Sequence, residues 1–233
     1  LQKAAEFGST PDAREVLTSV QHQLDQLQGV GRLPISPLEI AGSLGAVNIS
    51  KIVAMNTDLY LLDSISGKGL HYSLVGSEYV KDENFDCGPN PENPLNSISK
   101  LVDMVSVPGG PFEATIFAID AYGNFAYCIP GKPGATSKLI APDAGWQEIR
   151  AVSFYQNYLY VLDPGNNAVF RYTLSDKNEF GSQPILFFDN YIPNMSEAVD
   201  FEVNGEELYI LRANGEMVEC TYSPLKDYKL TEC

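Results

Sequence analysis

Three aspartates, Asp63, Asp120 and Asp163, each close a short run of apolar residues. Carboxylates at matching places can do one of two things. Ringed around an axis, they would ligate a cation. Confined to their own turns, each would accept backbone N–H groups in an Asx-turn. Recurrence at one place in each unit favours the turn. The fourth unit carries Arg212 there, which would spoil a ring. Asp200 lies on an earlier strand of its unit, and its role stays open. The two histidines, His22 and His71, have no Cys or His at metal-ligand spacing, so solvation or packing is expected for both. No Gly-x-Ser-x-Gly elbow, no His-Glu-x-x-His pair and no phosphate loop occurs. No catalytic group, metal or cofactor is expected.

Four cysteines invite pairing. Cys87 sits in a Pro-rich loop, and Cys128 ends the strand of the unit that this loop leads into. Cys220 ends the last clear strand, and Cys233 follows an irregular tail. The expectation is Cys87–Cys128 and Cys220–Cys233, which would place the domain outside the reducing cytoplasm. The alternative is four free thiols in a cytosolic protein. The loop Asp86–Pro94 holds Asn90 and Asn93, and long loops on a rigid scaffold often carry binding. These two and Trp146, the sole tryptophan, are the candidates for a ligand face. Packing between units is the favoured reading of Trp146, and facing a ligand the alternative.

The elements that must position these residues have clear signals. Ser9-Thr10-Pro11-Asp12 starts a helix: a hydroxyl cap, a proline in the first turn and an acid at the positive end. Ala13, Val16, Leu17, Val20, Leu24 and Leu27 then form one apolar stripe, and Gly29 ends it. Residues 1–29 read as a helical stalk or hairpin, 30–45 as a linker, and 46–233 as β structure. Within the last part a grammar repeats. Leu59-Tyr60-Leu61-Leu62-Asp63, Leu159-Tyr160-Val161-Leu162-Asp163 and Leu208-Tyr209-Ile210-Leu211 each precede a tight turn and an outgoing strand. Ile116-Phe117-Ala118-Ile119-Asp120 is a partial copy. From Tyr60 to Phe117 is 57 residues, on to Tyr160 is 43, and on to Tyr209 is 49. Such periods, with several strands each, mean β-propeller blades. The fold class is mainly β: four-stranded antiparallel blades behind a helical stalk. Four recognisable units leave closure of the ring open.

The segment Leu159–Tyr172, with its Asn-rich turn, resembles an NHL-type propeller repeat, and residues 56–72 are a weaker copy. The order of stalk, Arg32-Leu33-Pro34, the Tyr60 strand, Cys87-Gly88-Pro89 and Phe187-Phe188-Asp189 resembles uncharacterised propeller regions of bacterial membrane signalling proteins. In those, an intracellular PPM-type phosphatase or similar domain precedes a membrane span and the propeller lies outside. The resemblance implies a noncatalytic binding or sensing propeller, extracytoplasmic and membrane-tethered through segments outside this sequence. Its partner would be a protein or a small molecule. Two other classes stay open: a metal-dependent propeller hydrolase of the lactonase kind, and a scaffold assembled through the stalk.

Bulk composition narrows the partners. In 233 residues, 44% are hydrophobic, enough for a sizeable core. The net charge of -15 repels phosphate backbones and anionic lipid, so nucleic-acid and membrane-surface roles are excluded as expectations. No apolar run is long enough to span a bilayer.

Overall fold

A computed structural model describes residues 10–31, 40, 45–91, 97–107, 109, 113–176, 179–188, 191–205, 207–223 and 230–233. Arg32-Leu33-Pro34, Asn93 and Asp189 lie outside this set, as does the segment before Thr10. The chain divides into two units, Leu1–Leu38 and Glu39–Cys233.

The first unit contains helix α1, Pro11–Gln28. Thr10 caps it by accepting the Ala13 N–H, and Gly29, at φ 67°, ends it in the left-handed conformation. The Val30 N–H reaches Asp25 O and the Gly29 N–H reaches Gln26 O, so two carbonyls left over by the last turn are met. Val16, Val20 and Leu27 of the stripe are exposed, as is His22.

The second unit is four antiparallel sheets of four strands each. Blade 1 is β1 (Ile49–Met55), β2 (Asp58–Asp63), β3 (Lys68–Val75) and β4 (Glu78–Lys81). Blade 2 is β5 (Leu101–Ser106), β6 (Ile116–Asp120), β7 (Asn124–Ile129) and β8 (Lys132–Lys138). Blade 3 is β9 (Ala151–Tyr155), β10 (Tyr158–Asp163), β11 (Ala168–Thr173) and β12 (Ile185–Leu186). Blade 4 is β13 (Ala198–Asn204), β14 (Glu207–Arg212), β15 (Met217–Ser223) and β16 (Leu230–Glu232). Each pairs in simple sequence order, and the arrangement is a four-bladed β-propeller. The repeated aromatics share one register: Tyr60 opposes Val53, Phe117 opposes Val105, Tyr160 opposes Ser153 and Tyr209 opposes Glu202.

Why the second strand of a blade reads continuously apolar is visible in its burial. Strands β2, β6 and β10 are covered on both faces, so almost every residue is buried. Tyr60, Leu62, Met104 and Ile116 join blades 1 and 2. Phe117, Ile119, Val152 and Leu159 join blades 2 and 3. Tyr160, Leu162, Phe201 and Leu208 join blades 3 and 4.

The fourth junction differs. On the first strands, Met104, Val152 and Phe201 are 1%, 2% and 4% exposed, because the preceding blade covers them. Ile52 holds the matching register position in blade 1 and is 64% exposed. On the second strands, Leu62, Ile119 and Leu162 are buried while the matching Leu211 is 41% exposed. Strand β14 accordingly alternates between covered and open residues. Among the described residues, no apolar cluster joins blade 4 to blade 1. Leu59, Leu61 and Tyr72 on that side of blade 1 are covered instead by Ile40 and Ile49. A prediction follows from the contrast. Ile52→Ala will change the unfolding free energy by no more than about 0.5 kcal/mol, whereas Val152→Ala will cost about 2 kcal/mol. Urea titration of both variants checks this.

Candidate functional site

In blades 1 to 3 the recurrent aspartates fasten the blade to its own first strand. Asp63 accepts the N–H groups of Asn48, Ile65 and Ser66, and the Ser66 hydroxyl at 2.6 Å. Asp120 accepts Ser99 N–H and Oγ, Tyr122 N–H and Asn124 N–H. Asp163 accepts the N–H groups of Gln147, Glu148 and Asn166. Asn48, Ser99 and Gln147 each lie just before a first strand, so one carboxylate ties together the turn after β2, β6 or β10 and the approach to β1, β5 or β9. Burial raises the Asp63 pKa, but these donors outweigh it and hold the carboxyl at about 2. The turn role expected from sequence is the one observed. In blade 4, Arg212 reverses the polarity, donating to the carbonyl of Asn194 before β13 and pairing with Glu216.

A second set of groups lies on the first strands. The pairing shifts by one residue between Ile49 and Lys51, between Leu101 and Asp103, and between Ala198 and Asp200. These are β-bulges, which re-aim the residue that follows. Lys51, Asp103 and Asp200 are thus equivalent, and Ala151 is the fourth member, paired with Leu162 as Lys51 is with Leu62. The Lys51 ammonium sits 3.1 Å from Asp103 Oδ1 and 3.2 Å from Asp200 Oδ2. It links blades 1, 2 and 4, and the small Ala151 completes the set without a charge. Asp103 also accepts the Val152 N–H at 2.8 Å, tying in blade 3. Burial drives the Asp103 pKa up to about 6, against the pull of Lys51. Burial would lower the Lys51 pKa, but the two carboxylates raise it above its ordinary value. Further along, Ser153 Oγ accepts the Val203 N–H, and burial raises the Glu202 pKa.

Sequence reading left Asp200 open and passed over Lys51 and Asp103. A signal existed in part. Counting twelve residues back from Asp63, Asp163 and Arg212 gives Lys51, Ala151 and Asp200. In blade 2 a longer connection between β5 and β6 breaks the count.

Above these groups, where β1, β5 and β9 begin, lies a groove of about 670 Å³. It is lined by Ser50, Ser64, Ser99, Lys100, Tyr122 and Arg150, with Glu148 beside Arg150. Three blades contribute. Lys100 is held by a bond from Nζ to Ile65 O at 2.7 Å, and Tyr122 is 66% exposed.

Of the ligand-face candidates from sequence, Trp146 and Asn90 are described, and both fall elsewhere. Trp146 stands edge-on to Phe170, 5.7 Å between centroids, in the core between blades 2 and 3. A Cβ at Gly123 would lie 2.5 Å from its Nε1, so only glycine admits the indole there. Asn90 donates to Asp86 within the loop that precedes blade 2. His71 is buried, stacked on Tyr60, with Nδ1 at 3.0 Å from Asp82 and Nε2 at 3.1 Å from Asp58. Ser73 is near, but its hydroxyl donates to Asp58, and both ring nitrogens face carboxylates. The group is a packing strap: Asp82 also accepts the Gly131 N–H of blade 2. Burial raises the Asp82 pKa, but His71 and the backbone donors outweigh it, and the net shift is downward. Both expected disulfides form, Cys87–Cys128 and Cys220–Cys233. They are the chemistry of an oxidising compartment. Among the described residues, no helix is long and apolar enough to cross a membrane.

Fold and site together define a β-propeller with a groove on one face, and a solved structure shares that fold. The chain is similar to a Bacteroides uniformis protein described as a candidate 6-phosphogluconolactonase, at 13% identity and a TM-score of 0.51, covering 79% of this chain and 56% of that one. It is also similar to a catalytically inactive variant of virginiamycin B lyase from Staphylococcus aureus, solved with quinupristin, at 14% identity and a TM-score of 0.45, covering 78% and 58%. A Lactobacillus plantarum protein gives 12% identity and a TM-score of 0.48, covering 82% and 57%. The chain spans little more than half the length of each of these three. The sequence matches no protein-family model and no curated protein.

Proposed function

We propose that this chain is a noncatalytic ligand-binding or sensing propeller, the extracytoplasmic part of a bacterial signalling protein. The observation that carries the binding role is the groove over the starts of β1, β5 and β9. It is concave, built from three blades, sets a few polar and charged side chains on a largely apolar lining, and is stiffened by the aspartate ties beneath it. The signalling context rests on the sequence resemblance, and the location on the two disulfides. A hydrolase of the lactonase kind would need free carboxylates near the axis. Here Asp63, Asp120 and Asp163 are engaged by backbone donors, and Asp103 and Asp200 share the Lys51 ammonium.

The test is a thermal-shift screen of small polar ligands, followed by hydrogen exchange on any hit. Binding should protect residues 99–102 and 148–150, and Tyr122→Ala should weaken it about tenfold. Hydrolysis of a lactone or phosphoester, abolished by Asp103→Asn or Asp200→Asn, would overturn the noncatalytic reading.

A further inference from the structure

The donor and acceptor pattern of the groove goes further than its shape. We infer that it selects a small hydroxylated carboxylic acid, a sugar acid of one or two rings, and rejects polyanionic chains. This rests on the groove being the binding site.

Three serine hydroxyls line it, and each spends its proton inward. Ser50 Oγ donates to Leu62 O at 3.3 Å, Ser64 Oγ to Asn48 O at 3.0 Å, and Ser99 Oγ to Asp120 at 2.9 Å. A hydroxyl has one proton, so all three can only accept from a ligand. The matching ligand groups are O–H or N–H donors. The cations supply the other half. Lys100 and Arg150 both line the groove in a chain with 15 basic and 30 acidic residues. Lys100 is preset. Its ammonium is bonded to Ile65 O, and its Cβ lies where a side chain at Gly67 would be, 2.5 Å from an added Cβ. A preset Lys100 and a nearby Arg150 beside acceptor-only hydroxyls ask for a carboxylate and hydroxyls on one molecule. An amine would meet Lys100 and Arg150 with like charge, so hydroxyls are the donors of choice. Tyr122 offers an exposed ring for the C–H face of a pyranose. The volume of about 670 Å³ suits a small ligand. The net charge of -15 on the whole chain repels a long polyanion while leaving a single carboxylate to the two cations of the groove.

Glu148 gives the inference a distinctive handle. Its carboxylate pairs with Arg150, and its backbone N–H separately anchors Asp163. A ligand carboxylate must compete with that side chain for the guanidinium. Removing the charge while keeping the shape should release Arg150 and strengthen binding.

The experiment is calorimetric titration of the whole chain with glucuronate, glucose, succinate and polygalacturonate. Glucuronate should bind, and should bind more weakly as salt rises. Glucose and succinate should each bind at least about tenfold more weakly, since each lacks one half of the pattern. Polygalacturonate should bind more weakly per site than glucuronate. Lys100→Met and Arg150→Met should each weaken glucuronate about tenfold, and Glu148→Gln should tighten it roughly threefold. These side chains are exposed, and circular dichroism will check that each variant folds. Glucose binding as well as glucuronate, with loss in Tyr122→Ala, would overturn the sugar-acid class and leave the groove standing as the site. Glucuronate binding unchanged in all four groove variants would overturn the groove itself.

Discussion

Replacing Cys87 and Cys128 together by alanine will lower the unfolding free energy by roughly 4 kcal/mol, the value expected for closing a loop of this length in the unfolded chain. The two residues are 41 apart in sequence, and the bond spans the long excursion from blade 1 into blade 2. Both are buried, at 2% and 0% exposure, in the cluster that joins those blades. Alanine leaves no polar group stranded there, so the loss reports the cross-link and a little lost packing. The tail bond, Cys220–Cys233, closes a separation of 13 and is worth roughly 3 kcal/mol by the same reasoning. Urea unfolding of the two double variants should rank them in that order. A loss below about 1 kcal/mol for Cys87/Cys128 would mean that packing alone holds the excursion.

Lys51→Met will cost roughly 3 kcal/mol at pH 7, and the cost will shrink on acidification. The reason is the charge it abandons. Asp103 has a side chain 5% exposed, and without the ammonium it keeps only backbone donors. Burial already raises its folded pKa to about 6, above the unfolded value near 4. A raised carboxyl stabilises the fold when protonated, below about pH 4, and that stabilisation is lost as pH climbs through 6. In Lys51→Met the folded pKa climbs further, so the variant suffers most at neutral pH and recovers below it. Asp103→Asn removes the buried charge, leaves Lys51 with Asp200, and should cost less than Lys51→Met at pH 7. Asp63 acts oppositely: its carboxyl, held at about 2, stabilises above pH 4 and fails as pH falls toward 2. From these two groups, wild-type stability should therefore peak near pH 4 and fall on either side of it. A Lys51→Met cost equal at pH 5 and pH 7 would contradict this account.

The sequence made the blades readable because the second strand is the most constrained element. In blades 1 to 3 it is covered on both faces and must be apolar, and the turn after it must be met by a short polar side chain. Tyr60, Phe117, Tyr160 and Tyr209 therefore stand in one register despite spacings of 57, 43 and 49. Strand β5 was hidden, because Asp103 interrupts its apolar run and the residues between it and β6 mask the hairpin. The same break concealed the equivalence of Asp103 with Lys51. The groove was not legible, since its lining comes from the ends of strands in three blades and from side chains that look like ordinary turn residues. Trp146 and Asn90 attracted attention by rarity and by loop length. Neither property tells whether a side chain points inward. The exposure of Ile52 could not be read either. Its chemistry is that of Met104 and Val152, and only the neighbouring blade distinguishes them.

Among the described residues, three joints of the propeller are glued by apolar side chains and one is spanned by a lysine. Lys51 and Asp200 have side chains 29% and 41% exposed, so water and dissolved ions reach the pair. Coulomb attraction of that kind weakens with ionic strength, whereas hydrophobic contact does not. Salt thus acts most on the joint between blades 4 and 1, which no apolar cluster of the described residues bridges. The ring is built like a split washer, three packed corners and a single catch, so any opening is expected first at the gap between β13 and β1.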